Sequence, residues 1–220
     1  MGDVDSLFGW HIYDTTPLLP EGWREEIVAI ALGNAHDRNI VPRSVSSREG
    51  SDVTELPVST VNGETVRALA PWLFELYENE FRELASRISP EPVSTATRDK
   101  IGVNLNVQRG TSMRYEAHVD TNPIQGLLYA TTLPPGAGGE LVLARDLDAA
   151  CIEDIERHPT VIHPTAGHLL LFDARRHPHY VRSLASEDGL RVVATMCFFT
   201  PSSPESARPT DMDDHLYGDG

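Results

Sequence analysis

The hydrophobic pattern changes character near residue 100. Upstream, apolar positions recur at helical spacing. Trp23, Ile27, Ile30 and Ala31 fall on one face of residues 21–35, which predicts an amphipathic helix closed at Gly33. Residues 64–88 carry a longer stripe of Leu73, Phe74, Tyr77, Phe81, Leu84 and Ile88, which predicts a helix packed on one face of a sheet. Pro71 lacks an amide hydrogen, so it is expected to kink that helix or open a new one. Between the two helices, residues 36–62 are polar, contain Pro42, Gly50 and Pro57, and carry Arg43 and Arg48. A loop of that length in a compact domain points to a lid or a surface loop.

Downstream of Lys100 the apolar positions alternate in short runs. Strands are expected at 101–108, 114–119, 125–132, 139–144, 160–163, 168–173, 178–183 and 190–199. Turn signals such as Asn122-Pro123, Pro134-Pro135-Gly136 and Gly167 separate them. About eight short strands at this spacing suggest a mostly β sandwich, jelly roll or cupin-like barrel, with the helices flanking it. Residues 1–200 then form one domain, a helical and lid part at 1–99 and a β core at 100–200. Residues 201–220 form a Pro/Ser-rich, then acidic, flexible tail in which Leu216 and Tyr217 are candidates to dock.

Composition narrows the function classes. A chain of 220 residues with 40% hydrophobic and 23% charged residues is ordinary globular material. A net charge of −15 argues against nucleic acid and anionic membranes, which attract cationic surfaces. The acidic start MGDVDSLFGWHIYD does not read as a signal peptide, and MGDVDS fits a myristoylation pattern only superficially. Cys151 and Cys197 are the only cysteines, so no disulfide scaffold is expected and a reduced, cytoplasmic protein, monomer or homodimer, is the simple reading. Lys100 is the only lysine among 18 basic residues, a bias typical of a GC-rich bacterial genome. Any fixed cationic anchor is therefore expected to be an arginine.

Candidate chemistry begins at YEAHVDTNP, residues 115–123. In a strand, residues two apart share a face, so His118 and Asp120 project together. They are two ligands of a divalent metal or an ordinary His–Asp contact. A second histidine would complete the two-histidine, one-carboxylate set that suits non-haem iron. His158, His163, His168, His177 and His179 are the downstream candidates, and parity does not separate His177 from His179. In the last strand Arg191, Val193, Thr195 and Cys197 share one face. Arg191 with a hydroxyl four residues on makes a clamp for a carboxylate, unless it sits at a strand end and reaches solvent.

As an ordered set, YEAHVDTNP, GGELVL, AGHLLLFDARRHPHYV and LRVVATMCFFT resemble the Fe(II)/2-oxoglutarate-dependent oxygenases, most of all their prolyl 4-hydroxylase-like branch. The resemblance covers about residues 100–200 and, more loosely, the helix at 64–88. It implies a double-stranded β-helix (jelly-roll) core with N-terminal helices on its major sheet. It also implies iron held by His118, Asp120 and His179, with Pro178-His179-Tyr-Val181 favouring His179 over His177. Arg191, helped by Thr195, would bind the distal carboxylate of 2-oxoglutarate. Gly138 and Gly139 would sit at the turn into a core strand.

The chain departs from that family where pocket tyrosines are expected, at Gln108 and near Thr132, which would contact the cosubstrate instead. Tyr115 matches a family aromatic but needs a strand irregularity to reach the pocket beside His118. Asn104, Asn106 and Arg114 are candidate substrate contacts, with Arg109 a further cation. The implied reaction consumes O2 and 2-oxoglutarate, with ascorbate as a supporting reductant, and oxidises a substrate C–H bond. Asp120 stands where halogenating relatives have a small residue, which favours hydroxylation; desaturation, ring formation and epoxidation use the same ligands. The loop at 36–62 and the Asn104/Asn106 pair lean towards a small molecule such as an amino acid or natural-product intermediate. Peptidyl-prolyl hydroxylation and a non-catalytic metal-binding jelly roll are the alternatives.

Overall fold

Alternation produces two sheets that share an interior. The computed structural model describes residues 9–42 and 46–209. Arg43, the extreme N-terminus and the acidic end with Leu216 and Tyr217 lie outside the described residues. The strands are β1 (Trp10–Asp14), β2 (His36–Ile40), β3 (Leu56–Val61), β4 (Ser94–Thr95), β5 (Val103–Arg109) and β6 (Tyr115–His118). They continue as β7 (Ile124–Tyr129), β8 (Leu141–Ala144), β9 (Pro159–Ile162), β10 (His168–Phe172), β11 (His179–Val181) and β12 (Leu190–Phe199). Among the described residues the major sheet runs β1-β10-β7-β12-β5-β3-β2, with β4 beside β12, and the minor sheet runs β6-β11-β8-β9. All the pairings are antiparallel. Leu127, Leu170, Phe172 and Val193 from the major sheet meet Leu141, Leu143, Ile162 and Val181 from the minor sheet in the shared interior. This is a mostly β jelly-roll core with few helices.

The helices cover the opposite face of the major sheet. They are α1 (Trp23–Asn34), α2 (Gly63–Leu69), α3 (Pro71–Leu76) and α4 (Arg82–Ile88), with two short turns, α5 (Asp99–Gly102) and α6 (Ile152–Ile155). The Asn62 side chain caps α2 by accepting from Thr65 N–H at 2.9 Å. The stretch read as one helix at 64–88 is divided. Pro71 opens α3 rather than kinking a continuous helix, and a π turn spans Tyr77–Phe81 before α4. Leu73, Phe74, Tyr77 and Phe81 pack against Val103, Leu105, Val107, Val192, Ala194, Met196 and Phe198 of β5 and β12. Burial of each such side chain contributes about 1.5–3 kcal/mol. The buried Tyr77 hydroxyl donates to Cys197 C=O and accepts from Ala96 N–H, so the π turn is also hydrogen-bonded to the sheet.

Two segments differ from the expected elements. Residues 36–62 are not one loop: β2 and β3 form an antiparallel pair at its ends, and β3 joins the major sheet beside β5. β2 escapes the alternation rule because it is an edge strand in which only Ile40 is buried. β1 is likewise a half-exposed edge strand, against β10. In the remaining connection, 41–55, residues 46–48 run beside β6 of the minor sheet. Ser47 bridges to His118, Arg48 N–H donates to Ala117 C=O, and Val119 N–H donates to Ser46 C=O. That segment therefore covers the free edge of β6.

Candidate metal centre

The hydroxyl-bearing Tyr115 and the imidazole of His118 both line one cavity of ≈ 140 Å³ between the sheets. In a regular strand they would face opposite ways. The register supplies the irregularity: β11 His179 pairs His118 while Val181 pairs Tyr115, so β6 carries an extra residue over that interval. Tyr115 is held there by donating to Ser59 C=O at 3.1 Å and to Val107 C=O at 3.3 Å.

His118, Asp120 and His179 come together at the end of this bulge, with their ligand atoms within 4.8 Å of one another. His118 Nε2 lies 3.2 Å from Asp120 Oδ1, and His179 Nε2 lies 3.9 Å from Asp120 Oδ2. Each histidine turns its other nitrogen to the backbone. His118 Nδ1 bonds Glu116 C=O at 2.7 Å, and His179 Nδ1 bonds His177 C=O at 2.9 Å. Those bonds fix the tautomer that leaves Nε2 free for a cation, the arrangement of a metal-ligating imidazole. His177 stands apart: its Nδ1 faces Ala144 C=O and it does not line the cavity.

The electrostatics suit the same donor set. Burial opposes a charge on His118 most strongly, but hydrogen bonding and attraction to Asp120, with Glu116 behind, carry its pKa up to about 9. Burial and the neighbouring His118 charge push His179 down to about 4. Burial alone would raise the Asp120 carboxyl, but the His118 bond and the His118, His179 and Arg208 charges hold it low. Binding of a divalent cation at these nitrogens would require them to be deprotonated and would release any proton held there. Two imidazole nitrogens, with the other nitrogen of each ring already tied, and one carboxylate fit iron of the facial-triad kind.

Another wall of the cavity is built from β12. Arg191, Val193, Thr195 and Cys197 all line the cavity, as the alternation requires. Arg191 is 1% exposed, so it is not a strand-end residue reaching solvent, and its Nε has no hydrogen-bond partner. Its guanidinium lies 5.5 Å from the centroid of Tyr129. Tyr129 is a residue the sequence reading passed over, although it shares the inward parity of Gln125 and Leu127 on β7. Burial raises the pKa of its hydroxyl, against the opposing charge of Arg191. Thr195 Oγ1 reaches only Asn104 C=O, at 3.4 Å.

Other candidates fall elsewhere. Thr132 is exposed at the end of β7 and accepts from Ala166 N–H, so it does not face the cavity. Gln108 sits opposite Arg191 in the register, but its Nε2 is committed to Met113 and Arg182 carbonyls and it does not line the cavity. Asn106 lines the cavity. Asn104 shares its face but is wholly buried beyond it beside Thr195, with no partner for its amide. Arg114 forms a two-pronged pair with Glu49 at 2.6 and 2.7 Å, which ties Glu49 to β6, and it does not line the cavity. Arg109 pairs with Asp37. Gly138 and Gly139 do form the turn before β8, both with positive φ. A Cβ on Gly139 would lie 3.1 Å from Arg191 Cδ, so the close turn leaves room for the arginine. Arg208, in the segment expected to be loose tail, lines the cavity and donates to Thr121 Oγ1 at 3.2 Å.

No family model matches the sequence, and no curated protein matches it. Solved structures do match the fold. A prolyl hydroxylase from Trichoplax adhaerens, in complex with a hypoxia inducible factor peptide fragment, superposes with a TM-score of 0.63 at 16% identity, over 92% of this chain and 88% of that one. A 2-oxoglutarate–Fe(II) oxygenase family oxidoreductase from Burkholderia pseudomallei gives 0.62 at 11% identity, over 91% and 89%. HygX from Streptomyces hygroscopicus, with nickel, 2-oxoglutarate and hygromycin B bound, gives 0.60 at 10% identity, over 90% and 88%. Organised around the bulged β6, the bridging β11 and the arginine-bearing β12, the chain has the fold of the Fe(II)/2-oxoglutarate-dependent oxygenases.

Proposed function

We propose that the protein is an Fe(II)- and 2-oxoglutarate-dependent dioxygenase that hydroxylates a small molecule, such as an amino acid or natural-product intermediate. The observation that carries this reading is one cavity holding both the His118/Asp120/His179 donor set and a buried arginine with an unpartnered Nε. When bound, the iron would supply the redox chemistry by which O2 and 2-oxoglutarate give succinate, CO2 and an oxidised substrate, with ascorbate supporting the reduced metal. The rest falls to side chains. His118, Asp120 and His179 would hold the metal, with their Nδ1 and carboxylate bonds keeping them in place. Arg191 and the Thr195 hydroxyl would orient the far carboxylate of 2-oxoglutarate, with the Tyr129 hydroxyl alongside. Leu127, Phe172 and Val193 would keep water from that end of the cavity.

The 41–55 segment supports the preference for a small molecule. It already pairs with the free edge of β6, so a peptide cannot add there as a further strand. Peptidyl-prolyl hydroxylation is the second reading, favoured by the peptide in the Trichoplax neighbour.

The test is succinate formation by anaerobically purified protein given Fe(II), 2-oxoglutarate and ascorbate, then exposed to O2. Amino acids, natural-product fragments and proline-containing peptides are supplied in separate arms. Iron-dependent turnover stimulated by a small molecule supports the first reading, and stimulation by a peptide alone supports the second. Absence of both turnover and iron-dependent 2-oxoglutarate binding would leave a non-catalytic jelly roll.

A further inference from the structure

One carboxylate in the cavity acts on the donor set only through its charge, felt by His118. Glu116 is 7% exposed, lines the same cavity as the metal ligands, and its Oε1 is buried with no hydrogen-bond partner. A carboxylate oxygen withdrawn from water without a hydrogen-bond partner is costly, and native proteins leave few such atoms. The cation nearest in sequence is attracted to it but gives it no hydrogen bond, because Arg114 directs both prongs of its guanidinium to Glu49. Glu49 accepts from Ala117 N–H as well, so that pair is anchored at three points. Arg208, another guanidinium lining the cavity, is engaged with Thr121 and attracted to Asp120. The hydrogen bond that Glu116 makes to the donor set comes from its backbone carbonyl, which holds His118 Nδ1.

We propose that the Glu116 carboxylate receives a positively charged nitrogen of the substrate, an ammonium or guanidinium, and so fixes which end of the molecule enters the cavity. The proposal rests on the oxygenase reading for the cavity's purpose and names the substrate class: a small amine. Arg191 at one end takes an anion and Glu116 takes a cation, so cosubstrate and substrate are sorted by charge. A neutral hydroxyl would satisfy one oxygen of Glu116 but bring no opposite charge to it.

The test measures binding rather than turnover. Nickel- and 2-oxoglutarate-loaded protein is titrated under nitrogen with two matched pairs of probes, cadaverine against 1,5-pentanediol and L-lysine against L-norleucine. Binding is followed by saturation-transfer NMR. The wild type is expected to favour the cationic member of at least one pair by about tenfold or more, which is 1.4 kcal/mol or more. Glu116→Gln, and Glu116→Met as a second neutral variant, are expected to erase that preference while unfolding at the wild-type temperature. No cationic preference in the wild type, whether both members bind or neither does, overturns the proposal. So does a preference that survives in both folded variants. Nickel-dependent 2-oxoglutarate binding by the wild type, measured by calorimetry in the same preparation, separates this outcome from failure of the oxygenase reading.

Discussion

Arg191→Met separates a binding arginine from a structural one, because the two roles predict opposite changes in stability. A guanidinium that is 1% exposed has given up hydration at a penalty of several kcal/mol. Within the described residues the return is smaller: the Tyr129 ring face at 5.5 Å, worth about 2 kcal/mol in a desolvated site, and an Nε with no acceptor. Methionine keeps the length of the stem and removes the charge, so the ligand-free variant is expected to have an unchanged or higher urea midpoint. A carboxylate meeting the guanidinium fork makes two charge-assisted hydrogen bonds, about 1.5–3 kcal/mol each. Their loss is about 3–6 kcal/mol, or at least about a hundredfold in affinity at 1.4 kcal/mol per tenfold. The assays are urea denaturation of the ligand-free protein and calorimetry of 2-oxoglutarate binding to the nickel-loaded protein. A large drop in the urea midpoint with unchanged 2-oxoglutarate affinity would refute the assignment and make Arg191 part of the packing.

Three further outcomes are expected. His179→Ala abolishes tight nickel binding, whereas His177→Ala retains it, measured by metal content after desalting; the reverse would move the ligand to His177. Gly139→Ala is expected to lower both stability and 2-oxoglutarate affinity, because a left-handed non-glycine residue costs about 1–2 kcal/mol and the new methyl would press on Leu133, Leu184 and Arg191. Gly136→Ala, with φ of 86° and nothing within 4 Å, carries the backbone term alone, and equal effects in the two variants would exclude the steric argument. Glu205 is half-withdrawn from water, which opposes its charge, but bonds from Thr97 and Arg98 hold its carboxyl below the usual range. A depressed folded-state pKa means that its stabilisation is present above the unfolded value of about 4.3 and is lost as pH falls through the folded one. The unfolding midpoint of Glu205→Gln should therefore converge on that of the wild type at about pH 3 and fall below it at about pH 6, and parallel curves would contradict this.

Legibility followed burial on two faces. β12 and β5 carry strict alternation because one side meets the helices and the other the interior, and both strands and their inward residues could be read directly. The candidate donor set of His118, Asp120 and His179 was legible because two lie two residues apart and the third sits in an ordered motif. β1 and β2 were not legible, since an edge strand half-exposed to water has no reason to alternate. Thr132 and Gln108 were placed by counting along the chain, which does not register where a strand ends or which carbonyls a side chain meets. Tyr129 and Glu116 were within reach of the same parity argument, from Gln125 and Leu127 in one case and His118 in the other. What hid Glu116 is that an acidic residue in a strand looks solvent-facing until its neighbours are seen to have partners of their own.

The extra residue in β6 has a consequence for how this site tolerates change. Because Tyr115 and His118 reach the same cavity only through a count that breaks strict alternation, the interval between them is constrained in length more than in chemistry. Substitution at Ala117 would alter the packing behind the minor sheet, where that residue lies. Deletion of one residue would restore regular pairing and turn either the tyrosine or the metal ligand outward. A gap in this four-residue strand would therefore mark the loss of the metal site in a homologous chain, even where every named residue type is retained.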